Sequence, residues 1–503
     1  MPKQIELQNG THICRKIDVE HVISKDMMPE NYKLIVETGG ATIFAGDDAG
    51  FFYGEKTLEQ LHFLYPDGIP CLTIEDAPLY PYRSFHIDTA RHFVKLDVLK
   101  KMVEAAASFK LNKFHWHFSD DQGWRIECKR FPKLHEIGAR RKGDHFGQWD
   151  SDEEEYFYYT RNEVKELVEF CRLRGIEVVP EVDIPGHVTA ILAAYPELSC
   201  TGQQVEVCTG AGIFYEILCA GKDKTFEFIN ELVDDLSELF PGRYFHIGGD
   251  ETPKSRWKEC PYCKKRMEQE KLSDERQLQG YMVNRIAEHL KTLGKTAVVW
   301  NESAVGGNLN PEIVVQLWND DPKDPSLKAL GGEKDENGKI TSPNQGIGAK
   351  VIRAGGSVIM SNMMGSYCDY PYAFISTEKV YDAAVIPQKC EDMIELAREH
   401  VKGVECLLWT EHIRDEKGLE SHAWPRFAAK AEVGWCGTGA YSYRDFAKRM
   451  KVLFPYLKRM IPFAAEPKWW KPGPILSVKE MIAFSKNYSK RDRKGYADAQ
   501  HNV

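Results

Sequence analysis

The sequence predicts an α/β protein: a (β/α)8 TIM barrel preceded by a small α+β domain. Two observations carry the prediction. From residue 82 to about 440, short β-rich apolar runs recur, each ending in polar or aromatic residues, and there are eight of them. Between several of these runs apolar residues repeat at helical spacing, and strands that alternate with helices pair in parallel. Eight such units suffice to close the sheet on itself.

The first 80 residues carry short alternating runs, Tyr32 to Val36 and Ala41 to Phe44, separated by Gly39-Gly40 and Gly46, followed by Ala49-Gly50-Phe51-Phe52-Tyr53-Gly54 and a helix over Lys56 to Leu64. The joint Ala77-Pro78-Leu79-Tyr80-Pro81 marks a boundary, so residues 1–80 are expected to form the small α+β domain. The eight barrel runs are Ser84 to Thr89, Lys113 to Ser119, Ile176 to Asp183, Tyr244 to Gly249, Thr296 to Asn301, Ile313 to Asn319, Ser357 to Asn362 and Val404 to Thr410. Helical spacing is clear at Val98, Leu99, Met102, Val103, Ala106 and Phe109, again at Val164, Leu167, Val168 and Cys171, and at Ile229, Leu232, Val233, Leu236 and Leu239. One link is weak, because little between Asn301 and Ile313 suits a helix. The barrel is expected over 81–440. A C-terminal extension over 441–503 opens with an amphipathic helix from Tyr443 through Met460, ends in a polar tail and packs on the barrel.

Composition narrows the partners. The chain has 503 residues, 66 Lys+Arg against 75 Asp+Glu and a net charge of −9, which argues against nucleic acid or an anionic membrane surface as a partner. Met1 to Gly10 contains no apolar leader segment, and no stretch reaches the length of a membrane helix. Thirteen scattered cysteines suit reduced thiols better than a disulfide framework. The expectation is an unexported, cytoplasmic, soluble protein.

In a TIM barrel, chemistry collects at the C-terminal ends of the strands. Here those ends supply Asp88 and Arg91, Asp120 and Asp121, Asp183 with His187, Asp250-Glu251, Trp300, Trp318, Tyr367 with Asp369, and Trp409 with Glu411. Singly, each has an ordinary structural reading as a cap, a core ring or an ion pair. Together they form the equipment for a pyranose, with carboxylates for vicinal hydroxyls and indole faces for the C–H side of the ring. Asp250-Glu251 is the sharpest feature. If the chain is extended there, the two side chains point to opposite sides and are poorly placed to flank one glycosidic bond as nucleophile and acid. A substrate carrying its own nucleophile, a 2-acetamido carbonyl, solves this: one carboxylate holds the acetamido NH and the other donates a proton to the leaving oxygen.

The block Phe85 to Leu134, together with PEVDIPGH (Pro180 to His187) and HIGGDE (His246 to Glu251), resembles the family 20 glycoside hydrolases, the β-N-acetylhexosaminidases. The resemblance runs from Gly50-Phe51-Phe52-Tyr53-Gly54 to Trp409-Thr410-Glu411. It implies exo-acting, retaining, substrate-assisted hydrolysis of terminal β-linked GlcNAc or GalNAc from an oligosaccharide or glycoconjugate. By position it implies that Glu251 is the general acid/base, that Asp250 orients the acetamido group and that Tyr367 bonds its oxygen. Trp300, Trp318 and Trp409 would wall the pocket, and Arg91, Asp369 and Glu411 would grip ring hydroxyls. His187, Asp183 and Asp120 would form a buried network that tunes Glu251. The insert Pro322 to Lys350 has no counterpart in the family pattern and is expected near the aglycone side. No cofactor is implied, and the oligomeric state is not legible.

Two rival readings exist. His115-Trp116-His117 at a strand end suits a metal-dependent barrel hydrolase, but that chemistry wants further imidazoles at later strand ends, where Trp300, Trp318 and Trp409 stand instead. A non-catalytic sugar-binding barrel would have no use for the proton donor of the Asp250-Glu251 pair. Cys260-Pro-Tyr-Cys263 is a single CxxC; a four-ligand zinc site needs a second pair, none stands nearby in the sequence, and no metal is expected there.

Overall fold

The computed structural model describes residues 2, 4–12, 17–147, 150–320, 333–334 and 340–491. At its centre eight parallel strands close into a barrel in chain order: Tyr82–Asp88, Lys113–His117, Glu177–Glu181, Tyr244–His246, Thr296–Trp300, Val314–Leu317, Ser357–Met360 and Val401–Cys406. Each overlaps one of the runs read from the sequence. The first strand is buried at every position, because helices cover the outside while side chains fill the inside, so its pattern is continuous rather than alternating. The helices Leu96–Ser108, Arg161–Arg172 and Asp223–Ser237 fall where the spacing put them, each burying its apolar stripe. The second of these opens on a capping box, in which the Thr160 hydroxyl accepts from the Glu163 N–H and Glu163 reaches back to the Thr160 N–H. Between the fifth and sixth strands the only helix is a single 3-10 turn, Asn301–Ala304; Gly306, Gly307 and Pro311 stop a longer one from propagating.

Ahead of the barrel lies a five-stranded sheet in the order Gln4–His12, Ile69–Asp76, Tyr32–Glu37, Gly40–Ala45, Val19–Ile23, packed against the helix Asp48–Leu64. Only the third and fourth of these strands were named from the sequence. Gln4–His12 is exposed at eight of its nine positions, so it carries no alternation to read. The helix begins well before Lys56: Asp47 caps it by accepting the Gly50 N–H, and Gly50 and Gly54, poor helix formers, hid its first turns. Arg83 fixes this domain to the barrel. Fully buried, it pairs with Glu30 at 2.6 Å and lies over the rings of Trp435 and Tyr53. Trp435, from the barrel helix Arg426–Cys436, enters the sheet's core and donates to Asp76 at 2.8 Å.

After the barrel, the helix Tyr443–Met460 lies against Asp48–Leu64 and Leu96–Ser108. What read as a polar end holds two further helices, Pro467–Trp470 and Pro474–Arg491. Glu480 on the second accepts the N–H groups of Tyr372 and Ala373, at 3.1 and 2.7 Å, and so braces the loop after the seventh strand. Most of the insert Pro322 to Lys350 lies outside the described residues. Among the described residues, no helix is long and apolar enough to cross a membrane.

The barrel interior is polar toward its upper end. Glu181 meets His117 Nδ1, His115 Nε2 at 3.2 Å and the Trp300 indole N–H at 2.8 Å, while Glu405 meets His115 Nδ1 at 2.8 Å and Gln316 at 2.6 Å. His115 and His117 thus face the same side, into the barrel, with carboxylates on their ring nitrogens. Burial alone would strip the proton from His115, but Glu405 and Glu181 outweigh it and lift its pKa to about 9. Replacing Glu181 by Ala leaves buried imidazolium charge short of a counter-ion, and we expect a loss of about 3–5 kcal/mol in unfolding free energy. A urea midpoint unchanged from the parent protein would mean that these histidines are neutral in the fold.

Candidate active site

The fourth strand, Tyr244–His246, runs into Ile247-Gly248-Gly249-Asp250-Glu251, and the chain turns sharply there. Gly248, Gly249 and Glu251 have φ of 65°, 106° and 43°. A Cβ on Gly248 would stand 1.7 Å from the Asp183 carboxylate, and one on Gly249 would stand 2.0 Å from the Ser303 hydroxyl, so only glycine fits at either position. The expected extended pair with opposed side chains is therefore not what forms. Instead both carboxylates approach one imidazole: His187 Nε2 lies 3.7 Å from Asp250 Oδ2 and 3.5 Å from Glu251 Oε2. His187 itself has a φ of 54°, so Glu251 and its imidazole partner both sit in a backbone region that L-residues seldom occupy.

Behind His187 the contacts run without a break into the barrel. Its Nδ1 lies 3.2 Å from Asp120 and 3.3 Å from Asp121; Asp120 in turn meets His117 Nε2 at 2.8 Å and Arg91 at 2.8 Å. His117 leads on to Glu181 and His115. Burial opposes charge on both His187 and Asp120, but their charged neighbours outweigh it. The His187 pKa is held well above the usual imidazole range, while Arg91 and His187 hold the Asp120 carboxyl well below the carboxylate range. Asp183 behaves oppositely. Burial, and then the charge of Asp250, push it well above the carboxylate range, and it accepts the Gly249 N–H at 3.1 Å. Burial also raises Asp250, to about 6, against the pull of the His187 charge.

Aromatic rings form the wall. Trp318 stacks on Tyr367 with centroids 6.0 Å apart, Tyr367 lies 6.2 Å from Trp409, and Trp409 lies 6.0 Å from Trp300. The Arg91 guanidinium sits 4.9 Å over Trp409 and 3.6 Å from Glu411. Asp369, raised well above the carboxylate range by burial and then by the charge of Glu411, completes the group. All twelve residues singled out from the sequence for catalysis or binding thus belong to one connected constellation. Within it Asp250 Oδ1, Asp369 Oδ1 and Trp409 Nε1 are buried with no hydrogen-bond partner among the described protein groups. Buried polar atoms of this kind are costly unless a ligand completes them.

Glu302 was missed by sequence reasoning. It accepts the Trp318 indole N–H at 2.9 Å and the Asn319 amide at 3.1 Å, and burial followed by the charge of Asp250 pushes its pKa to about 8. The available signal was its place one residue past the run that ends in Trp300-Asn301. Asp88, noted only as a strand-end carboxylate, accepts the Ala90, Arg91 and Thr410 N–H groups and the Thr410 hydroxyl, and so ties the first strand's end to the eighth's.

The catalytic-domain model of glycosyl hydrolase family 20 matches residues 80–438, and that family's domain 2 matches residues 2–77. The chain belongs to glycosyl hydrolase family 20. It is 34% identical over 433 residues to a β-hexosaminidase of Porphyromonas gingivalis, covering 84% of this chain and 52% of that protein. To a β-hexosaminidase of Akkermansia muciniphila it is 33% identical over 429 residues, covering 83% and 82%. The chain thus spans about half the length of the first relative and most of the second. Among solved structures, a β-N-acetylhexosaminidase superposes with a TM-score of 0.81 at 30% identity over 94% of this chain and 97% of that one. The enzyme from Bacteroides fragilis superposes with 0.76 at 28% identity over 91% and 95%. The fold expected from the sequence, a (β/α)8 barrel behind a small α+β domain, is the fold of the chain.

Proposed function

We propose that the protein is an exo-acting, retaining β-N-acetylhexosaminidase that removes terminal β-linked GlcNAc or GalNAc from glycans by participation of the 2-acetamido group. One observation carries the reading: a buried, unpartnered oxygen of Asp250 stands beside Glu251, in one constellation with a wall of three tryptophans and a tyrosine. Asp250 Oδ1 accepts the acetamido N–H and stabilises positive charge on the oxazolinium-like intermediate. Tyr367 bonds the acetamido oxygen, and Trp300, Trp318 and Trp409 enclose the methyl and the sugar face. Glu251 donates its proton to the leaving oxygen and then activates water. Asp369 Oδ1, Glu411 and Arg91 take hydroxyls of a single terminal sugar. His187, with Asp120 behind it and Asp183 beside Asp250, holds the pair in place.

Two outcomes test this. A 2-hydroxyl in place of the 2-acetamido group leaves Asp250 and Tyr367 unpaired and supplies no internal nucleophile, so kcat/KM for a chromogenic GlcNAc β-glycoside should exceed that for the glucoside by about 10⁴-fold or more. Comparable hydrolysis of the two would count decisively against the proposal. The second outcome concerns pH. Asp250 must be charged to work, and a carboxyl with its pKa raised to about 6 is protonated below that value, so kcat/KM should fall as pH drops through about 6. In Asp250→Asn the residual activity should lose that acid limb; its persistence would assign the limb to another group.

A further inference from the structure

Cys260 and Cys263 do not stand alone. Two cysteines distant in sequence, Cys200 and Cys219, come to meet them, and all four sulfurs lie within 4.8 Å of one another. The expectation that this CxxC lacks a second pair is thus corrected. Cys219 Sγ lies 3.7 Å from Cys260 Sγ and 3.6 Å from Cys263 Sγ, and Cys200 Sγ lies 3.9 Å from Cys263 Sγ. A disulfide needs about 2.05 Å, and none of the four is in one. Four thiolates around one zinc, each at about 2.3 Å, stand about 3.8 Å apart along the edges of a tetrahedron. These three separations fall close to that value, and a multi-iron cluster would hold its cysteines farther apart.

The backbone around the sulfurs is shaped for the same purpose. Cys260 precedes the helix Pro261–Glu270, and Cys263 lies in its first turn. Cys200 and Cys219 flank the antiparallel bridge between Ser199 and Leu218, and the Cys219 N–H bonds to the Leu198 carbonyl at 2.9 Å. A Cβ on Gly221 would stand 2.2 Å from the Tyr262 carbonyl carbon and 2.4 Å from the Cys263 nitrogen. Only glycine lets the two cysteine-bearing turns approach this closely.

We propose that Cys200, Cys219, Cys260 and Cys263 bind one structural zinc ion, which staples the loop after the third barrel strand to the loop after the fourth. The first loop carries His187, and the second opens with Asp250-Glu251. The staple reaches the site through short bonds: the Leu218 N–H donates to the Pro185 carbonyl at 3.0 Å, and the Trp257 indole N–H donates to the Leu218 carbonyl at 2.9 Å. With four protein ligands the ion has no open position, so it activates no water and takes no part in the hydrolysis. On binding, each thiol releases its proton to solvent, and no oxidant or reductant is needed.

Elemental analysis of the full chain, purified with reductant and without chelator, should find about one zinc per chain. Cobalt exchanged into the site should show thiolate-to-metal charge transfer and the strong visible absorption of a tetrahedral centre. Cys219→Ser and Cys263→Ser should each lose the metal, while Cys436→Ser, remote from the cluster, should keep it. Because a ligand variant can misfold, the parent protein supplies an independent reading: a mercurial titrating its thiols should release the zinc stoichiometrically to a colorimetric chelator. A parent protein free of zinc, an equal content of iron, two disulfides among these cysteines, or full zinc retention in Cys219→Ser would each overturn the assignment. Metal content is read without any glycoside, so failure of the proposed hydrolase activity would leave this result standing.

Discussion

Glu251→Gln should lower turnover of glycosides with poor leaving groups by about 10²- to 10⁴-fold, because the amide keeps the shape of the side chain and loses the proton it donates. Activated aryl glycosides should suffer much less, since their aglycones depart without protonation. The structure sharpens this expectation. Glu251 sits at a φ of 43° with its carboxylate 3.5 Å from His187, so its direction is set by the backbone turn and by the imidazole, and the Gln side chain should adopt the same pose. Azide or another small anion should restore turnover of the activated substrate, where departure has already occurred and only the attacking base is missing. Equal losses on both classes of substrate would remove Glu251 from the acid role.

Asp250→Asn should slow every substrate, activated or not, by about 2.7–4 kcal/mol in activation free energy, the usual worth of one group aimed at charge that develops in the transition state. The loss should fall on kcat more than on KM, since the acetamido group keeps a hydrogen-bonding neighbour while the oxazolinium-like charge loses its counter-charge. Asp183 matters here: burial and the Asp250 charge push its pKa well above the carboxylate range while Asp250 rises only to about 6, so of the two Asp250 is the carboxyl that ionises more readily. Near-normal turnover in Asp250→Asn would mean that participation by the acetamido group is not assisted from this position.

Much of this was legible along the chain. Each barrel strand overlaps a β-rich run of the sequence, because a strand covered on both faces is buried along its length and its outward side chains are apolar even where His115, His117, Glu181 and Glu405 turn polar groups inward. The residues that form the candidate constellation were legible as the ends of those runs, since a closed barrel gathers its strand ends at one face. Strand Gln4–His12 was not, because an exposed edge leaves no hydrophobic pattern. Glu302 was passed over because it lies one residue beyond a run and its neighbourhood with Asp250 belongs to a different strand.

By itself the sequence determined the order of the eight barrel strands and of the helices with clear apolar spacing, and most of the side chains that stand at the strand ends; these follow from local periodicity and burial. Tertiary structure alone decided the rest. The left-handed turn at Glu251 brought two adjacent carboxylates to one imidazole, against the alternation an extended chain would impose. His187 found Asp120 across 67 residues, and Cys200 and Cys219 reached the Cys260–Cys263 pair across separations of 41 to 63 residues. Periodicity reports a residue's own backbone and the face it buries; which distant loops meet depends on the path each loop takes over the closed barrel, and that path is set only when the whole sheet has formed.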